Sequence, residues 1–121
     1  MEIRPLERDN LKLDNGLRAQ RLMPWQALNA PFEGSWCVVH PGAASGQHSH
    51  HEHEIWIALS GSAEILAEGQ RMPFSAGDII RFPPGTGHQV VNNGDGDFEM
   101  YSVWWDTELA EKFLARHQVE A

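Results

Sequence analysis

Residues 42–61 read GAASGQHSHHEHEIWIALSG, and residues 77–92 read GDIIRFPPGTGHQVVN. These two stretches decide the fold. The first is a loop of small residues, then four histidines within six positions (His48, His50, His51, His53), then an extended run over 54–60 closed by Ser60-Gly61. The second turns at Gly77-Asp78, runs extended over 79–82, and crosses Pro83-Pro84-Gly85-Thr86-Gly87 just before His88. That loop cannot be sheet interior, because proline lacks the backbone donor and glycine is costly to order. Outward from here, short β-type runs recur at 17–22, 36–40, 62–67, 70–74, 88–92 and 98–105. Turn signals separate them, among them Pro41-Gly42, Glu68-Gly69 and Asn93-Gly94-Asp95-Gly96. About eight short strands at even spacing predict a small all-β antiparallel sandwich or barrel. Residues 1–15 are charged and aperiodic and read as an N-terminal arm that packs on the barrel or on a partner subunit. Residues 16–106 form the barrel, and 107–121 a helix. In that helix Thr107 serves as N-cap, Glu108 and Glu111 lie in the first turn, and Leu109, Phe113 and Leu114 make one apolar stripe.

The chain has 121 residues, enough for one domain with one core. Its net charge is −8 and its nine basic residues are scattered, which argues against nucleic acid or an anionic membrane as a partner. The single cysteine, Cys37, excludes an intramolecular disulfide framework and a cysteine-only zinc site, and it fits a reducing compartment. Residues 1–15 lack the apolar core of a signal peptide, and the longest apolar run, 55–59, is far short of a membrane span. A cytoplasmic setting is expected.

His48 and His50 are two apart, so on a strand they share a face about 7 Å apart, close enough to converge on one cation. Glu54 is four residues further on, about 13 Å along a straight strand. It reaches the same ion only if the chain folds back over 51–53, which places His51 and His53 on an exposed bend and outside the ligand set. A further ligand is expected from another strand, and His88, held by the Pro/Gly loop, is the candidate.

The first stretch resembles the first cupin motif, G-x5-H-x-H-x3-E-x6-G, through Gly42, His48, His50, Glu54 and Gly61. The second resembles the second motif, G-x5-P-x-G-x2-H-x3-N, through Gly77, Pro83, Gly85, His88 and Asn92. The resemblance implies a jelly-roll β-barrel (a double-stranded β-helix). It also implies one divalent metal held inside by His48, His50, Glu54 and His88. The ligand set suits Zn, Fe, Mn, Ni, Co or Cu and names none of them. More narrowly, the phrases WCVVHPG, HSHHEHEIW and YSVWWD are similar to small cupins fused to, or beside, methionyl-tRNA-synthetase-like proteins. Members of that group are hydrazine-forming synthetases, whose zinc cupin rearranges an amino-acid ester to form an N–N bond. For this chain that would imply zinc and a separate synthetase-like partner protein.

The metal should leave open coordination positions for water or substrate. The expected function is therefore that of a metal-dependent enzyme acting on a small metabolite, with the catalytic residues unassigned. The alternatives are a non-haem metal dioxygenase, a non-catalytic small-ligand sensor, and an accessory subunit whose acidic surface docks an enzyme. Trp56, two residues after Glu54, should point toward the ion and line the substrate pocket. The other aromatics read as barrel core or subunit interface, with the inward face of 98–105 undecided. Cys37 reads as a buried strand residue, Arg81 as a solvated arginine rather than a carboxylate binder, and Asn92 as a strand-end hydrogen-bonding residue. The arm and the surplus tryptophans suggest a homodimer.

Overall fold

In the computed structural model residues 1–47 and 49–118 are described, the last two by backbone alone. Nine strands form in order: β1 (Lys12–Asp14), β2 (Leu17–Arg21), β3 (Phe32–Val39), β4 (His53–Ser60), β5 (Ser62–Ala67), β6 (Gln70–Ser75), β7 (Ile79–Phe82), β8 (His88–Val91) and β9 (Phe98–Trp105). One helix, α1 (Thr107–Gln118), follows them. The strands make an antiparallel six-stranded sheet, β1-β2-β3-β9-β4-β7, facing a three-stranded sheet, β6-β5-β8. The core between them joins Val39, Phe98 and Trp56 of the large sheet to Ile65, Phe74 and Val90 of the small one. Burying each such side chain contributes about 1.5–3 kcal/mol.

Strand alternation sets the inner face. Phe98, Met100 and Ser102 of β9 are buried, and Trp104 continues their face, which settles which side of 98–105 points inward. Register aligns inward residues into rows across the sheet. Arg21, Ser35, Ser102 and Trp56 form one row over β2, β3, β9 and β4, and Trp104 pairs with Glu54 beside it.

Strand β1 lies within the stretch expected to be an irregular arm. An Asn15-Gly16 turn, with φ of 50° and 83°, folds it antiparallel onto β2. The rest of the arm packs on the outer face of its own large sheet. The Glu7 amide donates to Gln20 Oε1 (2.9 Å), Gln20 Nε2 donates to the Pro5 carbonyl (3.1 Å), and Arg8 forms an ion pair with Glu99 of β9. His53, expected on the bend, is instead the first residue of β4. It stacks on Trp105, its register partner, at 5.7 Å. Asp106, not Thr107, caps α1: its Oδ1 accepts from the Glu108 and Leu109 amides at 2.8 and 3.3 Å. Thr107 is then the first helical residue. Among the described residues no helix is long and apolar enough to cross a membrane.

Candidate metal centre

Two segments distant in sequence meet at one end of the barrel. The Gly85 amide donates to the His50 carbonyl (2.7 Å), which pins the Pro/Gly loop to the histidine segment. The loop 43–45 is laced to the end of β8 as well, through Ser45 N to Val90 O (3.0 Å) and Asn92 N to Ala43 O (3.0 Å). Asn92 is fully buried and donates to the carbonyls of Val39 and Gly96, so it is a structural strand-end residue.

This framework gathers His50, Glu54 and His88. Their ligand atoms all lie within 4.8 Å of one another. Glu54 Oε1 is 2.9 Å from His50 Nε2 and 2.8 Å from His88 Nε2. Two donors each about 2.1 Å from an ion, at right angles to it, stand about 3 Å apart, so the spacing fits a shared cation. His48 lies outside the described residues. His51 is exposed, and His53 is turned to Trp105. Neither belongs to the cluster.

Each member is held by its neighbours. His88 Nδ1–H donates to the Thr86 carbonyl at 2.8 Å, which turns Nε2 toward Glu54. Nε2 is then the ring nitrogen left for the cluster, 2.8 Å from Glu54 Oε1. The His88 ring is stacked on Phe82 (4.1 Å, 11°) and meets the Trp56 ring edge-on (5.1 Å). Trp56 is buried, and its Nε1–H donates to Glu54 Oε2 at 2.8 Å. Burial alone would push the Glu54 pKa up. Hydrogen bonds from His88 and Trp56, with the nearby imidazoles, outweigh burial and hold it below the ordinary carboxylate value. An anionic oxygen beside two imidazoles is a donor set suited to a divalent transition metal.

A cavity of about 260 Å3 adjoins the cluster. Trp56 lines it, with Ser35, Cys37 and Ser102 on the wall and Asp14, Arg21 and Trp104 further along. Burial pushes the Cys37 thiol up to about 11, so it is protonated at neutral pH. Arg81 is exposed and pairs with Ile55, away from the cavity. The arginine at the cavity is Arg21, which the sequence reading did not single out. Alternation on β2, which puts Leu17, Ala19 and Arg21 on one face, was the available signal.

A cupin-domain profile matches residues 35–104, and the chain belongs to the cupin superfamily. A Cupin 2 conserved barrel domain protein of Salinispora arenicola CNS-205 is 63% identical, superposes with a TM-score of 0.86, and is matched over 97% of this chain and 98% of that one. The plu4264 protein of Photorhabdus luminescens is 40% identical with a TM-score of 0.84, over 96% and 97% of the two chains. Among curated relatives, an oxalate-binding protein of Thermotoga maritima is 34% identical over 64 residues. That match covers 52% of this chain and 53% of that protein. Against a mannose-1-phosphate guanylyltransferase of Salmonella typhimurium, 30% identical over 99 residues, 77% of this chain spans only 21% of the relative's length.

Proposed function

We propose that this cupin is a metal-dependent enzyme in which His48, His50, Glu54 and His88 hold one divalent ion beside a small-molecule cavity. The supporting observation is the buried His50–Glu54–His88 cluster at the cavity's end. His48 is included on the motif alone. A bound ion supplies Lewis acidity to an oxygen of the ligand. The chain's own residues do the rest: Trp56 orients Glu54, Thr86 fixes the His88 tautomer, and Trp56, Met100 and Trp104 exclude water. Zinc at this site would agree with the rearrangement chemistry of the narrower resemblance and with a separate synthetase-like partner. Iron would agree with a dioxygenase.

One observation favours a second reading, a ligand-binding cupin without catalysis. Among the described residues lining the cavity, the only carboxylate or imidazole outside the cluster is Asp14, already paired with Arg21. General acid–base help beyond the ion is therefore scarce. Metal identification on protein purified without added metal tests the proposal. Near-stoichiometric metal in the wild type and its loss in His88→Ala are expected. Stoichiometric metal in a His48/His88 double alanine variant would sink the ligand assignment.

A further inference from the structure

Arg21 stands where two cavities meet. It lines the cavity beside the cluster and also an open groove of about 860 Å3 between the arm and β1–β2. Its guanidinium carbon lies 5.3 Å from the centroid of the Trp104 ring, and Trp104 is the register partner of Glu54. One strand spacing, about 4.8 Å, thus separates the backbone carrying the ring under the guanidinium from the backbone carrying the cluster's carboxylate. Asp14 holds the fork from one side, accepting from Nε at 2.9 Å and from Nη2 at 3.4 Å. A guanidinium has five N–H groups. Among the described residues the hydrogen bonds of this one go to Asp14 alone, which leaves the Nη1 edge open. The Arg21 side chain is 50% exposed, within reach of an incoming molecule.

We infer that Arg21 is the anion-recognising residue of this cavity and that the ligand is a small hydroxy or oxo carboxylic acid. Its carboxylate meets the Nη1 edge, and the rest of the molecule extends along the cavity toward the cluster. The approach to the cluster and the charge balance drawn from it rest on the metal-site proposal; the Arg21 contact does not. Three points narrow the class. On the metal-site proposal a divalent ion with Glu54 would leave one positive charge, and the Arg21–Asp14 pair is neutral, so a monoanion would balance the lining better than a phosphate dianion or a neutral molecule. At about 260 Å3 the cavity equals roughly nine waters at about 30 Å3 each, the size of a small metabolite. Between Arg21 and Trp56 in the same register row stand the buried hydroxyls of Ser35 and Ser102, which suit a polar ligand body over a hydrocarbon one.

The test is calorimetric titration with lactate, pyruvate, neutral lactamide and inorganic phosphate. It uses zinc-loaded and metal-free full-length protein, with zinc content measured first. Arg21→Gln should weaken binding of both acids about tenfold or more, as loss of a charge-assisted hydrogen bond demands, and leave zinc content unchanged. Arg21→Lys should recover part of the affinity. Asp14→Asn, which removes the competing carboxylate, should tighten binding, a result that a folding defect would not give. Equal affinity in wild type and Arg21→Gln, lactamide binding as tightly as lactate, or phosphate binding more tightly would overturn the inference. So would the absence of acid binding to the wild type in either state, or weaker binding by Asp14→Asn. A wild type that takes up neither zinc nor any other of the divalent ions the ligand set suits defeats the metal assignment instead, and the metal-free titration then decides the role of Arg21 by the same tenfold criterion.

Discussion

His88 shows how a loop can fix an imidazole completely. One ring nitrogen is tied to Thr86, one face lies on Phe82, and the other nitrogen meets Glu54 in a pocket that leaves the residue 1% exposed. Trp56 does the same for Glu54 through Oε2, leaving Oε1 to face both imidazoles. Partners of this kind typically govern metal affinity by about 10–100-fold. Trp56→Phe keeps an aromatic ring and deletes the donor, so it should weaken zinc binding about tenfold in a chelator competition; because it also leaves space in the core, it should lower the melting temperature by several degrees. His51→Ala and His53→Ala should leave affinity at the wild-type level. Cys37 carries a different prediction. Burial raises its thiol from 9.0 to about 11, so between those values the folded chain keeps a proton that the unfolded chain has lost. Stability therefore falls as pH rises through that window, by at most roughly 3 kcal/mol, and is unaffected by this group below it. Denaturant titrations of wild type and Cys37→Ala from pH 8.5 to 11 should converge, as the variant lacks this alkaline loss.

Elements were legible where turn chemistry and alternation agreed. The strand runs at 62–67, 79–82 and 98–105 coincide with β5, β7 and β9, because glycine turns bracket the first two and the Asn93-Gly94-Asp95-Gly96 turn opens the third. Gly61 shows how strict such a turn is. Its φ is +81°, and a Cβ there would stand 2.4 Å from the Asp97 carbonyl oxygen, a backbone atom that cannot swing aside. Gly61→Ala should cost more than about 1 kcal/mol and lower the melting temperature by several degrees in a calorimetric scan. Strand β1 escaped notice although Asn15-Gly16 is a strong hairpin signal. Its three residues are too short to show alternation, and charge masked the rest. The cap of α1 was misplaced by one residue because Asp106 and Thr107 are both good capping types, and only the side-chain geometry chooses between them. Asp106→Ala should cost α1 about 1 kcal/mol. The loss should appear as faster amide exchange in α1, with the barrel unchanged, since the helix has little contact with the sheets.

At the scale of the whole molecule, motif spacing made the cluster visible, while the cavity's far wall was not. The wall depends on which strands lie side by side: β9 sits between β3 and β4, and that order brings Arg21, Ser35 and Ser102 into line with Trp56. Local sequence carries no record of that order. The same topology leaves apolar surface uncovered. The arm crosses the outer face from β2 to β9 but leaves Phe32 of β3 40% exposed, and beyond it Ile79 of β7 is 65% exposed. Leu109, Phe113 and Leu114 of α1 are 45–55% exposed. A helix of 12 residues is marginal in water without a packed face. The arm, already docked on its own sheet, is not available to supply one, so we propose that a second copy of the chain covers these surfaces in a two-fold dimer. Light scattering on the eluting protein should then give twice the 13.6 kDa chain mass. Replacing Phe113 and Leu114 together by Glu should halve that mass while leaving bound metal unchanged, because neither residue lines the cavity or touches the cluster. A wild type of single-chain mass at every concentration would refute the dimer, and the exposed stripe of α1 would then have no role in assembly between copies of this chain.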